Sequence, residues 1–443
     1  MPHAASAPVR PSATGRMCIC LAVAAVLTGA APNSGAAAEM MSAAHATIRA
    51  ADAGRHVGVL ADDTFEGREG GSRGGRAAAT YIVEQLTKLG LTPAGDSGTY
   101  YQAFGGMRNI VAIVEGSDPI LANEVVVVGA HYDHVGYGNA DNSYGPFGYV
   151  HNGADDNASG VAGLLELAEA IGHLPERPRR SILIAFWDGE EKGLLGSYHF
   201  LRVAPEGLTG RRVVLSVNLD MIGRLRGNRL EVYGSRTAHG LREMVLQANN
   251  RPSHAAALDL SFVWDIEEDS DHYPFIAARI PTVMFHTGLH DNYHRPSDDV
   301  HLVNLPGIEP VTRLALGFVA AVANDPAAIP PFRGECRAES NATRNRLEAA
   351  IPDSDGSPHG RWGIGTRHDP GEPDAPVIVR VWKDSPAGRG GVMAGDRIVA
   401  VDDARIASHG DMLDRLKAAG STTAIDIERR GHIIRLELHE AVD

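Results

Sequence analysis

Cysteine is nearly absent. The chain has three in 443 residues, and Cys18 and Cys20 both fall in an apolar stretch near the N-terminus. If that stretch is removed as a leader, Cys336 stands alone, and a lone thiol excludes an internal disulfide framework. Positive charge is also scarce: 41 Lys and Arg against 55 Asp and Glu give a net charge of −14. There is no sustained Lys/Arg block. Proteins that grip nucleic acid usually carry such a basic patch, so that class of partner is excluded. No stretch after the leader reads as long and apolar enough to cross a bilayer, and no internal repeat of 20–50 residues is evident. What the chain does have is an ordinary hydrophobic fraction of 44%, enough to bury a sizeable core, and a length suited to two or three pieces.

The N-terminus has the layout of an export signal. Arg10 and Arg16 precede the apolar run Met17–Leu27, and Ala36-Ala37-Ala38 offers a small-residue cleavage site. We therefore expect a signal peptide over 1–38 and an exported, periplasmic or secreted product, with no integral membrane segment once the signal is gone. Residues 40–326 alternate short β-branched runs with helical patterns. Residues 327–358, rich in Pro, Ala, Asp, Ser and Gly, read as a linker. Residues 360–443 return to short strands and a helix.

In the large region the strand candidates are Ile110–Val114, Val125–Gly129, Ser181–Phe186, Val213–Leu219, Leu230–Tyr233 and Thr282–Phe285. Several are continuous Val/Ile/Leu runs, the mark of strands buried on both faces. Helical patterns lie between them at Ala77–Leu89, Ser159–Ile171, Gly193–Val203, Ala238–Ala248 and Ile308–Val322. Such alternation predicts an α/β fold, a mostly parallel mixed sheet flanked by helices. Sheets of this kind bind ligands beyond the carboxyl ends of their strands.

The polar clusters fall at those ends. His131-Tyr132-Asp133-His134 follows the Val125 strand, and GADDNASG, with Asp155 and Asp156, follows the next loop. Asp188-Gly189-Glu190-Glu191 follows the Ser181 strand, Asp220 the Val213 strand, and Asp291-Asn292-Tyr293-His294 the Thr282 strand. Each alone has a plain explanation: a helix cap for Asp155, a solvated pair for Glu190-Glu191, a turn residue for Asp220, hydrogen-bonded loop imidazoles for His131 and His294. Five strand-end clusters together have none. Imidazole and carboxylate are ordinary zinc ligands. Two divalent ions about 3.5–4 Å apart need a carboxylate bridge. The Glu190-Glu191 pair suits one residue on metal and one on water.

These ordered motifs, with Phe65-Glu66-Gly67-Arg68 ahead of them, resemble metallopeptidase family 28, the dizinc exopeptidases that include secreted bacterial leucyl aminopeptidases. The resemblance covers roughly 55–325. It implies two zinc ions bridged by Asp155, with His131 and Asp220 completing one site and Glu191 and His294 the other. It further implies Glu190 as general base, Asp133 orienting His131, Ser270 supporting a ligand carboxylate, and a cis peptide ahead of Asp156. His134, His151, His199, His286 and His290 match no ligand position and are expected to be structural or pocket-lining.

The C-terminal region, with Gly363-Ile364-Gly365 and the string Ala394-Gly395-Asp396-Arg397-Ile398-Val399-Ala400-Val401-Asp402, resembles a PDZ domain of the bacterial protease type. Such a domain can hold the C-terminus of a peptide along a sheet edge. The resemblances imply an exported metallo-aminopeptidase acting on the N-termini of peptides or proteins. The rivals are a carboxypeptidase or glutaminyl cyclase of the same fold, and a periplasmic PDZ scaffold whose old active site is dead.

Overall fold

The computed structural model describes residues 34–174, 176–251, 257–352 and 360–440; the apolar run Met17–Leu27 expected as a leader lies outside them. Nine strands form one large sheet: β1 (Thr92–Pro93), β2 (Tyr101–Phe104), β3 (Met107–Val114), β4 (Glu124–His131), β5 (Ser181–Trp187), β6 (Arg212–Leu219), β7 (Arg229–Tyr233), β8 (Asp259–Phe262) and β9 (Thr282–His286). Their order is β1-β3-β5-β4-β6-β9-β7-β8, with β2 paired to β3. The central strands β5, β4, β6 and β9 run parallel. Both flanks turn antiparallel, at β3–β5 and at β7–β9. All six strands expected from the sequence are present. The three that were not, β1, β2 and β8, are short pieces at the sheet margins, too short for a pattern of period two to stand out.

The central runs are apolar at every position because both faces are covered. Val126, Val128, Ile182 and Ile184 point into a core shared with Val57, Ile82, Val161 and Phe318 of the flanking helices. Their neighbours Val125, Val127, Leu183 and Ala185 point the other way, against Trp187, Phe200 and Phe275. This is the period-two geometry of a strand with a core on each side.

One sequence expectation is corrected here. The helix Leu305–Asn324 is 20 residues long and apolar enough, by length and composition, to cross a membrane. It instead lies in the core, with Val311, Leu314, Phe318 and Val322 fully buried. Asn304 caps its start by accepting from the Gly307 backbone N–H.

A second, six-stranded sheet forms the C-terminal module: β10 (Ile364–Arg367), β11 (Val377–Val381), β12 (Arg397–Val401), β13 (Ala404–Arg405), β14 (Thr422–Arg429) and β15 (His432–His439). Helix His409–Ala418 packs Met412 and Leu416 on its small core. Gly363, at φ +67°, leads into the edge strand β10, and an added Cβ there would sit 2.0 Å from Ser385 Cβ. Only glycine fits that approach.

The stretch 327–358, expected to be a linker, is ordered over much of its length. It carries a 3-10 turn, Gly334–Ala338, and a helix, Asn341–Glu348. That helix has no buried residue and so no apolar stripe for periodicity to detect. Polar contacts hold it: Asn341 Oδ1 accepts from the Trp264 N–H, and the Asn341 N–H donates to Asp265 Oδ1. Ser340 caps its start.

Candidate metal centre

The parallel strands β4, β5, β6 and β9 end on one edge, and the loops beyond them carry the site. His131 is the last residue of β4, Glu190 and Glu191 follow β5, Asp220 follows β6, and His294 lies in the loop after β9. The turn that opens helix Gly160–Gly172 supplies Asp155 and Asp156.

Two donor groups result. His131, Asp156 and Asp220 form one; His134, Asp156, Glu191 and His294 form the other, and within each group the ligand atoms lie within 4.8 Å of one another. Asp156 belongs to both. Its Oδ1 is 3.3 Å from His131 Nε2, and its Oδ2 is 3.1 Å from His294 Nε2. His131 Nε2 also stands 3.5 Å from Asp220 Oδ1, and His294 Nε2 3.1 Å from Glu191 Oε2.

The carboxylate common to both groups is thus Asp156 and not Asp155, the residue expected there. Asp155 is turned away from both groups. Its Oδ1 accepts from Ser159 Oγ at 2.9 Å and from the Gly223 N–H at 2.6 Å, and its Oδ2 faces His290 Nε2 at 3.1 Å. Adjacent aspartates in GADDNASG are alike in composition, and the turn sends their side chains in different directions. Asp298 fixes that turn by accepting the N–H groups of both Asp155 and Asp156 on Oδ2. The cis peptide falls one residue later than expected, between Asp156 and Asn157.

His134 also moves in role. Expected to be structural, it stands in the second group, with Nδ1 2.8 Å from Glu191 Oε1. The signal for it is its position three residues after His131, in the same strand-end loop. The other four histidines lie outside the groups: His286 lines the cavity, His290 faces Asp155, His151 bonds Ser143, and His199 stacks on Phe104.

The surroundings orient these donors. Ser270 Oγ donates to Asp220 Oδ2 at 2.5 Å. His131 Nδ1 is 3.2 Å from the Asp133 backbone oxygen, closer than the Asp133 carboxylate at 3.8 Å. That carboxylate instead accepts the Glu190 N–H at 3.1 Å. Tyr293 stacks on His294 with ring centroids 3.9 Å apart.

Electrostatics mark the centre as a place for cations. Burial by itself would lower the His131 imidazole, yet Glu190 and Asp220 hold it well above its ordinary value. Burial pushes Glu190 well up, against the pull of His131 and with the repulsion of Glu191. Glu191 is brought down to about 2 despite burial and the repulsion of Asp156, by bonds from His134 and His294. His134 Nε2 is buried without a hydrogen-bond partner. Carboxylates crowded this way are costly unless paired or bound to metal. The donors, imidazole nitrogen and carboxylate oxygen, fit zinc. The groups open into a cavity of about 520 Å³, lined among others by His131, Asp156, Glu190 and Tyr293.

Comparison with known proteins agrees with this architecture. The chain is 30% identical over 209 residues to the Leupeptin-inactivating enzyme 1 of Streptomyces exfoliatus, covering 46% of this chain and 43% of that one. It is 30% identical over 203 residues to Aminopeptidase YwaD of Bacillus subtilis, covering 44% and 40%. The match thus spans less than half the length of these curated relatives. BSAP, a zinc aminopeptidase from Bacillus subtilis, shares the fold at 18% identity and a TM-score of 0.50, over 65% of this chain and 98% of that one. Residues 109–319 match the model of Peptidase family M28, and residues 360–439 match that of the PDZ domain.

Proposed function

We propose that this chain is an exported zinc-dependent aminopeptidase that removes N-terminal residues from peptides, with two metal ions seated in the two donor groups. The observation that carries the reading is the sharing of Asp156 between those groups, beside Glu190 in one cavity. His131, Asp156 and Asp220 would hold one ion, and Asp156, Glu191 and His294 the other, with His134 as a further donor to the second. Bound divalent metal supplies a Lewis acid and brings water to nucleophilic strength near neutral pH.

The rest of the chemistry belongs to the chain. Glu190, with its proton affinity raised by burial, is suited to take the proton of the attacking water and return it to the leaving amine. Its position is fixed from the backbone, through the bond from its N–H to Asp133. Asp133 thereby aligns base and ligand together, its carbonyl oxygen against His131 and its carboxylate against Glu190. Ser270 holds the Asp220 carboxylate in the orientation its group requires. The substrate is a peptide or protein N-terminus, and the PDZ domain offers a second place for a peptide C-terminus.

The test is metal content of the purified protein, paired with hydrolysis of a panel of aminoacyl chromogenic amides. Two zinc equivalents and cleavage that vanishes on chelation are expected. Two equivalents without cleavage of any aminoacyl amide would refute the aminopeptidase reading, and no bound metal after reconstitution would refute the metal centre.

A further inference from the structure

The cavity that holds Glu190 and Asp156 has a second wall, made by the segment between β8 and helix His272–Ala277. Asp265, Glu267 and Asp269 all line it, at alternate positions of that segment. Ser270, the next residue, is bonded to Asp220, so the wall is tied directly to the metal centre. The carboxylates are thus part of the cavity into which the donor groups open, not an isolated acidic surface. Asp156, 2% exposed and shared by both donor groups, lines the same space.

The charges on this wall are not neutralised from within. Two arginines line the cavity, and each pairs with a carboxylate other than these three. Arg229 lies 3.7 Å from Glu231, and Arg344 lies 3.6 Å from Glu348. Asp265 is held by the backbone N–H and the side-chain amide of Asn341, neutral donors that leave its charge in place. Asp269 has an imidazole nitrogen of His272 at 4.0 Å, but burial drops that histidine to about 4 and leaves it uncharged near neutral pH. Glu267 has no ion pair among the described residues. Among the described residues no lysine or arginine pairs with these three carboxylates, and the other imidazole acting on Asp269 is His286, which lines the same cavity.

Resting on the aminopeptidase reading, we infer that this wall selects substrates whose N-terminal residue carries a cationic side chain, lysine or arginine. The α-amine and the scissile carbonyl belong at the metal centre. The side chain of the same residue then extends into the cavity, where the four-carbon stem of lysine or the fork of arginine brings a cation to the carboxylates. A charge-assisted bond in a partly desolvated cavity is among the stronger polar contacts. A neutral side chain leaves the carboxylates unpaired, and an acidic one is repelled.

The test uses the full, metal-loaded chain and three substrates, the p-nitroanilides of lysine, norleucine and glutamate. Lysine and norleucine share the four-carbon stem and differ in lysine's terminal ammonium. The expected kcat/KM ratio of lysine to norleucine is about tenfold or more, the range of a hydrogen bond to a charged group. In the double variant Glu267→Gln, Asp269→Asn the ratio falls to about threefold or less, and glutamate gains on both. A ratio near one, or one the double variant leaves unchanged, overturns the inference while leaving the aminopeptidase reading intact. Calorimetric binding of lysinamide and norleucinamide reads the wall without turnover. If no aminoacyl substrate is cleaved, a lysinamide preference lost in the double variant still supports the wall, and equal binding of the two amides refutes it.

Discussion

Substituting each of the two adjacent aspartates by asparagine separates a bridging carboxylate from a structural one. Asp156 faces His131 through one oxygen and His294 through the other, at 3.3 and 3.1 Å. With Asp156, Glu191 and Asp220 as the carboxylate donors, three negative charges face four positive charges on two divalent ions, a net of about +1. Asp156→Asn raises that to about +2 and removes the only donor common to both groups. Loss of a residue that merely supports a ligand already costs about 10–100-fold in metal affinity. Loss of the shared ligand itself should exceed about 100-fold at one site at least, with turnover lost alongside. Asp155 behaves differently. Its Oδ1 accepts from Ser159 and from the Gly223 N–H, and an amide oxygen accepts both bonds equally well. Its second oxygen faces His290 Nε2 at 3.1 Å, and an amide nitrogen there can donate to the imidazole. Asp155→Asn should therefore retain both metals and cost about 1 kcal/mol of stability, the scale of one altered hydrogen bond. Metal content by mass spectrometry after equilibrium dialysis, with kcat on an aminoacyl amide, decides the matter. Full metal content in Asp156→Asn together with its loss in Asp155→Asn would refute the geometry argued here.

Glu190→Gln is expected to keep both metals and lose about 10²–10⁴ in kcat, the usual contribution of a positioned general base; unchanged turnover removes Glu190 from that role. Ser270→Ala removes the 2.5 Å bond to Asp220 and should weaken metal binding about tenfold, read by competition with a chelating dye. Arg236 is 5% exposed and bonds both Glu339 and Asp369, so Arg236→Met should destabilise the fold by about 3 kcal/mol in urea melts by stranding buried carboxylates. Glu339 is held down to about 2, where bonds from Arg236 and Arg333 outweigh burial. Between about 4.5 and 2 the unfolded chain therefore binds the extra proton, and stability falls as pH falls through that window. Urea midpoints at pH 5 and pH 3 should show that slope, and Glu339→Gln should reduce it.

The parallel centre of the fold could be read from composition because it is buried on both faces. Val125–Val128 and Ile182–Phe186 are apolar at every position, and little but an interior strand explains that. Strand-end placement then brought five polar clusters to one edge, and the structure places His131, Glu190, Glu191, Asp220 and His294 there. Resolution failed where neighbours share chemistry. Asp155 and Asp156 differ in no property visible along the chain; their difference is a turn geometry set by Asp298, some 140 residues away. His134 was assigned a structural or pocket-lining role because its one signal, a position three residues after His131, does not say which way its ring points. Helix Asn341–Glu348 escaped because polar contacts with residues 264 and 265 hold it, and such contacts leave no periodic trace.

That helix changes what the C-terminal half of the chain is for. Asn341 and Arg344 line the cavity beside the metal centre, so the cavity wall is built partly from sequence beyond the M28 match, which ends at 319. The far end of the same segment is fastened to the PDZ domain. Arg367, on the edge strand β10, donates to the backbone oxygens of Arg346 and Leu347, and Glu348 pairs with Arg397 of β12. Asp369 joins Arg397 to Arg236 in a buried network, and Arg242 pairs with Glu428 of β14 at 2.6 Å. The Arg430 backbone oxygen, at the turn after β14, accepts the N–H of Leu260 in β8. Contacts of this density, three of them buried ion pairs, are costly to open one at a time and hold the two sheets in register. Cutting the chain near residue 328 would thus remove Asn341 from Asp265 and strip one wall from the cavity, in addition to deleting a PDZ domain. The shortened protein should keep the residues of both donor groups, bind metal, and lose discrimination among N-terminal residues more than it loses turnover. Equal discrimination in the full and shortened proteins would mean that residues beyond 328 have no part in choosing the substrate.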